Sequence, residues 1–117
     1  MTEKRVQMGR EFIIAEMFVK LWEALKLGDN ALRELQAELL ANPHTGDIIT
    51  GTGGARKFRF PLPHTGKSGG IRVIYFDKPH KEKLYLLVCY PKGKQEDLTQ
   101  EQKNQLKKAI AVLKGEQ

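Results

Sequence analysis

The chain has 117 residues, 40% of them apolar and 29% charged, with a formal net charge of +6 at pH 7. That is enough for one hydrophobic core and too little for two, so a single domain over residues 1–117 is expected, with residues 1–9 flexible. No apolar run reaches the roughly 20 residues of a membrane helix, and the charged start MTEKRVQMGR lacks the apolar stretch of a signal peptide. The lone cysteine, Cys89, allows neither a disulfide framework nor a zinc knuckle and reads as a buried core residue. A cytoplasmic protein with no membrane partner is the expectation.

Phe12-Ile13-Ile14 predicts a short first strand. From Glu16 to Leu27 the apolar residues Met17, Phe18, Leu21, Trp22 and Leu25 recur at helical spacing. Gly28 is the expected helix stop, and Asp29 or Asn30 the next N-cap. Leu32, Leu35, Leu39 and Leu40 predict a second amphipathic helix, ended by Asn42-Pro43. Both apolar sets read as core.

Thr45 to Gly54 reads as a loop, and after it the period changes. In Arg56-Lys57-Phe58-Arg59-Phe60, the phenylalanines point one way and Lys57 and Arg59 the other. Pro61 and Pro63 end that strand. Ile71–Phe76 and Leu84–Tyr90 are apolar at nearly every position, which suits a central hairpin turned by Asp77-Lys78-Pro79-His80. Arg72 is a charge set inside that apolar grain. Thr99-Gln100-Glu101-Gln102 matches a capping box, opening a helix with Leu106, Ala109, Ile110 and Leu113 on one face. The order β-α-α-β-β-β-α predicts an α+β fold: a small antiparallel sheet flanked by two N-terminal helices and a C-terminal helix.

Charge is distributed unevenly along this chain. Between Ala55 and Gln95 ten basic residues face two acids, a local balance of +8, while residues 1–54 sum to −2 and residues 96–117 to zero. A basic excess confined to strands and one glycine-rich loop reads as an anion-binding surface.

Several familiar sites are excluded. Gly66-Lys67-Ser68 resembles the end of a phosphate-binding P-loop, but Pro61 stands where that motif needs glycine. Gly51-Thr52-Gly53-Gly54 is followed by Arg56 where a dinucleotide fingerprint ends in glycine. His44, His64 and His80 have no metal-ligand spacing, so neither metal nor cofactor is expected. What remains is cationic: Lys57 and Arg59, Arg72 on the next strand, Lys67 between them, and Tyr90, Lys92 and Lys94 after the last strand.

Such a cluster suits cleavage of RNA by its own 2′-hydroxyl, because arginine and lysine stabilise the charge that builds on the phosphate. Charge alone, however, favours a surface that only holds a phosphate backbone.

The segments GTGGARKFRF, GKSGGIRVIYF and LYLLVCYPKGKQEDLT, with the preceding Leu-Leu-Ala-Asn-Pro, resemble the RelE/ParE superfamily of type II toxins, in its HigB-like branch, over roughly residues 10–110. The resemblance implies a RelE-like fold and a ribosome-dependent endoribonuclease, an mRNA interferase that cuts mRNA in the A site against ribosomal RNA. It also implies a cognate helix-turn-helix antitoxin, with operator DNA reached only through that antitoxin. Carried across, Lys57 and Arg59 match the paired basic residues of the family's second strand, Arg72 the arginine opening the third, and Lys92, or else Lys94, the cation after the last. With Tyr90 these form the expected catalytic set, while Arg56, Lys67 and Lys94 are expected to bind RNA.

One departure stands out. Leu98 occupies the place of the C-terminal tyrosine usually assigned as general base, which leaves Tyr90, Lys57 and Lys67 as candidates. A ParE-like gyrase inhibitor and a non-catalytic RNA- or ribosome-binding module are the alternative readings.

Overall fold

The computed structural model describes residues 9–62, 70–91, 93 and 97–115, together with the backbone of residues 3–7. Among the described residues the elements run β1 (Glu3–Gln7), β2 (Arg10–Ile14), α1 (Glu16–Ala24), α2 (Gly28–Ala41), β3 (Asp47–Ile48), β4 (Arg56–Phe60), β5 (Ile71–Lys78), a 3-10 turn (Pro79–Lys81), β6 (Lys83–Pro91) and α3 (Gln100–Gly115). The six strands form one sheet in the order β1-β2-β6-β5-β4-β3. The architecture is α+β, as the element order predicts.

The sheet is mixed rather than wholly antiparallel, because β2 lies parallel to β6, with Phe12 opposite Leu84 and Ile14 opposite Leu86. The α1–α2 excursion carries the chain across one face and lets β6 return beside β2 in the same direction. Two strands were not expected. Glu3–Gln7, read from sequence as flexible, pairs antiparallel with β2. Asp47–Ile48, inside the expected loop, pairs with Lys57 and Arg56 of β4.

Both faces of the sheet are covered, which is why β5 and β6 are apolar at nearly every position. On one face Phe12, Phe18, Trp22, Leu35 and Leu39 pack with Val73 and Tyr75 of β5. On the other, Ile74, Phe76 and Tyr85 pack under Leu106 and Ile110 of α3. The capping box of α3 forms as expected: Gln102 N donates to Thr99 Oγ1 at 3.1 Å, and Thr99 N to Gln102 Oε1 at 2.9 Å. At the far end, the buried Lys78 ammonium donates to the carbonyl of Leu113, a cation closing the negative end of the helix.

α1 ends four residues before the expected glycine stop. Lys26 takes the left-handed conformation (φ 56°), and Gly28 (φ 82°) opens α2 with no side-chain cap. The turn after β3 is held by buried Thr52, whose hydroxyl donates to Ile49 O (2.7 Å) and accepts from Ala55 N (3.0 Å).

A register shift interrupts the β5–β6 ladder. Ile74 pairs with Val88 but Tyr75 with Leu86, so Leu87 is an extra residue on β6. Before the bulge Leu84 and Leu86 face α1 and α2; after it Cys89 does, while Leu87 and Val88 both face the α3 side. The bulge thereby turns Tyr90 to the α3 face.

Candidate functional site

Strand alternation sorts β4 as the sequence predicts. Phe60 is buried and Phe58 packs beside it in the α1–α2 core, so Lys57 and Arg59 emerge on the opposite face. On β5, Arg72 shares its face with Ile74 and Phe76, the α3 side. Cross-strand register then does the assembling: Arg59 stands opposite Arg72, and Arg72 opposite Tyr90. With strands about 4.8 Å apart, these residues make a row about 10 Å wide. Lys57, Ile74 and Val88 form the adjacent row, nearer α3.

The structure therefore brings together Lys57, Arg59, Arg72 and Tyr90, all half-buried. It sets Arg56 apart. That side chain lies on the α1–α2 face, where its guanidinium donates to Gly46 O at 2.7 Å and, more weakly, to His44 O at 3.4 Å. It holds the chain after α2 against β4. Tyr75 does the same from β5, its hydroxyl donating to Pro43 O (2.7 Å) and accepting from Gly46 N (3.0 Å). Lys67, Lys92 and Lys94 lie outside the described residues.

Tyr90 keeps its proton more firmly than an ordinary phenol. Burial raises its pKa, and the charge of Asp97 adds to the rise, against the lowering effect of Arg72. Cys89, fully buried on the other face, has its thiol pushed up to about 12 by burial alone. Neither is an ionised nucleophile at neutral pH.

Two further residues belong to this region. Asp97, just before α3, places Oδ1 3.5 Å from Lys57 Nζ. Lys103, in the first turns of α3, lines the same cleft of about 210 Å³ as Lys57, Tyr90 and Asp97. Sequence reasoning missed both. For Lys103 a signal existed, since it sits three and seven residues before the buried Leu106 and Ile110 and so on the same helix face. Asp97 gave none, because nothing local ties a loop carboxylate to a strand 40 residues earlier.

Among the described residues no group of three or more His, Cys, Asp or Glu side chains could hold a metal ion, and no helix is long and apolar enough to cross a membrane. The arrangement offers a row of cations and a phenol donor, chemistry for a phosphate ester. A family model described as the RelE toxin of the RelE / RelB toxin-antitoxin system matches residues 12–116.

Proposed function

The chain belongs to the RelE toxin family, and from that premise we propose that it is a ribosome-dependent endoribonuclease that cuts mRNA in the A site and halts translation. The observation that carries this reading is the in-register row Arg59–Arg72–Tyr90 on one open face of the sheet.

In the proposed reaction the 2′-hydroxyl attacks the adjacent phosphorus. The 2′-O–P bond forms, the P–O5′ bond breaks, and the products are a 2′,3′-cyclic phosphate and a 5′-hydroxyl. Arg59 and Arg72 bind the non-bridging oxygens, where charge grows in the transition state. Lys57, ion-paired with Asp97, adds positive charge at the same edge. Tyr90, holding its proton, is used as a donor to the phosphate or the departing 5′ oxygen rather than as the base. Of the candidates for accepting the 2′-hydroxyl proton, that leaves Lys67. Lys92 and Lys94 are proposed to hold the RNA backbone or ribosomal RNA. A helix-turn-helix antitoxin is the proposed form of the neutralising partner, with operator DNA contacted through it.

Mapping of mRNA 5′ ends after brief expression tests this reading. Cuts inside codons positioned in the A site are expected for the native chain and are expected to vanish for Arg72→Ala. A folded Arg72→Ala protein that remains fully toxic would overturn the site. Blocked supercoiling with intact mRNA would overturn the reaction, and ribosomes bound but uncut would leave a binding module.

A further inference from the structure

The cleft beside the cation row has features that phosphate binding alone does not use. Its volume of about 210 Å³ is below the roughly 300–1,000 Å³ of clefts that hold drug-sized ligands, a size for one flat ring system. Buried Ile49 and Ile74 and half-buried Leu98 give it apolar surface, and the Tyr90 ring forms part of the lining. Aromatic and apolar surfaces of this kind are where unpaired bases stack. At its polar edge stand Lys103, a donor only, and Asp97, an acceptor only, with Lys57 Nζ 3.5 Å from the Asp97 carboxylate.

Resting on the nuclease reading above, we propose that this cleft is a nucleobase pocket, selective for guanine at a nucleotide flanking the scissile phosphate. Tyr90 belongs both to the cleft and to the Arg59–Arg72 row. Lys57 lies two residues from Arg59 on the same face of β4, about 7 Å away. A phosphate on the row and the base of the same or the next nucleotide in the cleft are therefore neighbours.

The donor set selects the base. Guanine presents two acceptors, O6 and N7, and on its Watson–Crick edge two donors, N1–H and the 2-amino group. A carboxylate can accept from both donors at once while a lysine ammonium donates to O6 or N7. Adenine turns the lone pair of N1 toward the carboxylate and offers only its 6-amino group. Uracil offers a single N–H between two carbonyl oxygens, and cytosine one amino group on a smaller ring.

Deep sequencing of the cut ends tests the proposal, with a second arm that does not depend on cleavage. The native chain is expected to cut with guanine at one fixed position beside the broken bond, favoured about tenfold or more. Asp97→Asn keeps the size of the side chain but replaces an acceptor with a donor. It is expected to go on cutting with that preference reduced to near parity, and Lys103→Gln to weaken it. In the second arm, 5′-GMP, 5′-AMP, 5′-CMP and 5′-UMP are titrated into the native protein and followed by NMR at Tyr90 and Leu98. GMP is expected to bind tightest. Cutting with the same nucleotide profile in native and Asp97→Asn proteins would sink the pocket and leave the nuclease standing. GMP-selective binding without any mRNA cutting would sink the nuclease reading and leave the pocket, and equal binding of all four nucleotides would overturn the pocket.

Discussion

Arg59 and Arg72 stand directly opposite each other across the β4–β5 ladder and project from the same face of the sheet. Like charges in that position destabilise a sheet by some tenths of a kcal/mol, so the pair is costly until an anion lies on it. Arg72→Ala should therefore lose about 2–4 kcal/mol of transition-state stabilisation, a hundredfold or more in rate, with no loss of thermal stability. Single-turnover cleavage on programmed ribosomes and a melting curve of the same preparation check both halves. A variant that loses stability and activity together would make Arg72 structural.

Tyr90 gives a pH prediction. Its folded pKa lies above the ordinary 10.0, so its share of stability is complete below pH 10 and is lost as pH rises through the folded value. If the neutral phenol acts as donor, activity should show no Tyr90-dependent limb between pH 6 and pH 9. Tyr90→Phe should lower the rate by roughly tenfold to a thousandfold across that range. A rate that instead climbed with pH in the native chain and lay flat in Tyr90→Phe would make the phenolate the base.

Arg10 tests how the sheet's N-terminal side is secured. Its Nε and Nη2 donate to the two oxygens of Asp77, at 2.8 and 3.2 Å, and the Asp77 side chain is only 4% exposed. Arg10→Ala strands that carboxylate and should cost about 3 kcal/mol in denaturant unfolding. Replacing both residues, Arg10→Met with Asp77→Leu, should cost less than the single change, because no charge is then left buried.

Gln36 offers the reverse case. It is fully buried in α2, and its amide nitrogen and oxygen have no hydrogen-bond partner among the described residues. Burying an unpaired amide costs about 1–3 kcal/mol, so Gln36→Leu should raise the midpoint of urea unfolding. A lowered midpoint would point to an ordered water held at that position.

Cys89 should resist thiol reagents in the folded protein at pH 8 and react at once in urea, since burial holds the thiol near 12. Through the same linkage, stability should decline between about pH 9 and 12, as the unfolded chain gains a thiolate that the folded one does not.

Legibility in the sequence followed the range of each interaction. The alternation of Lys57, Phe58, Arg59 and Phe60 and the box from Thr99 to Gln102 are local, and both formed as read. Arg59, Arg72 and Tyr90 could be nominated as a set, but their alignment depends on the extra residue Leu87, which no local pattern marks. Likewise, Arg56 looks like its basic neighbours in sequence. Only the packing of the chain after α2 diverts its guanidinium to backbone carbonyls. The parallel pairing of β2 with β6 and the approach of Asp97 to Lys57 arise between segments far apart in the chain.

That parallel pairing bears on when the toxin becomes a toxin. β2 is among the first segments synthesised, yet its neighbour β6 begins only at Lys83. Pairings of such long sequence separation form late, so the nascent chain exposes Phe12 and Ile14 until most of it has left the exit tunnel. The cell thus has an interval in which the polypeptide exists but its sheet is incomplete. A neutralising partner already present could meet the chain during that interval, before the first message is cut.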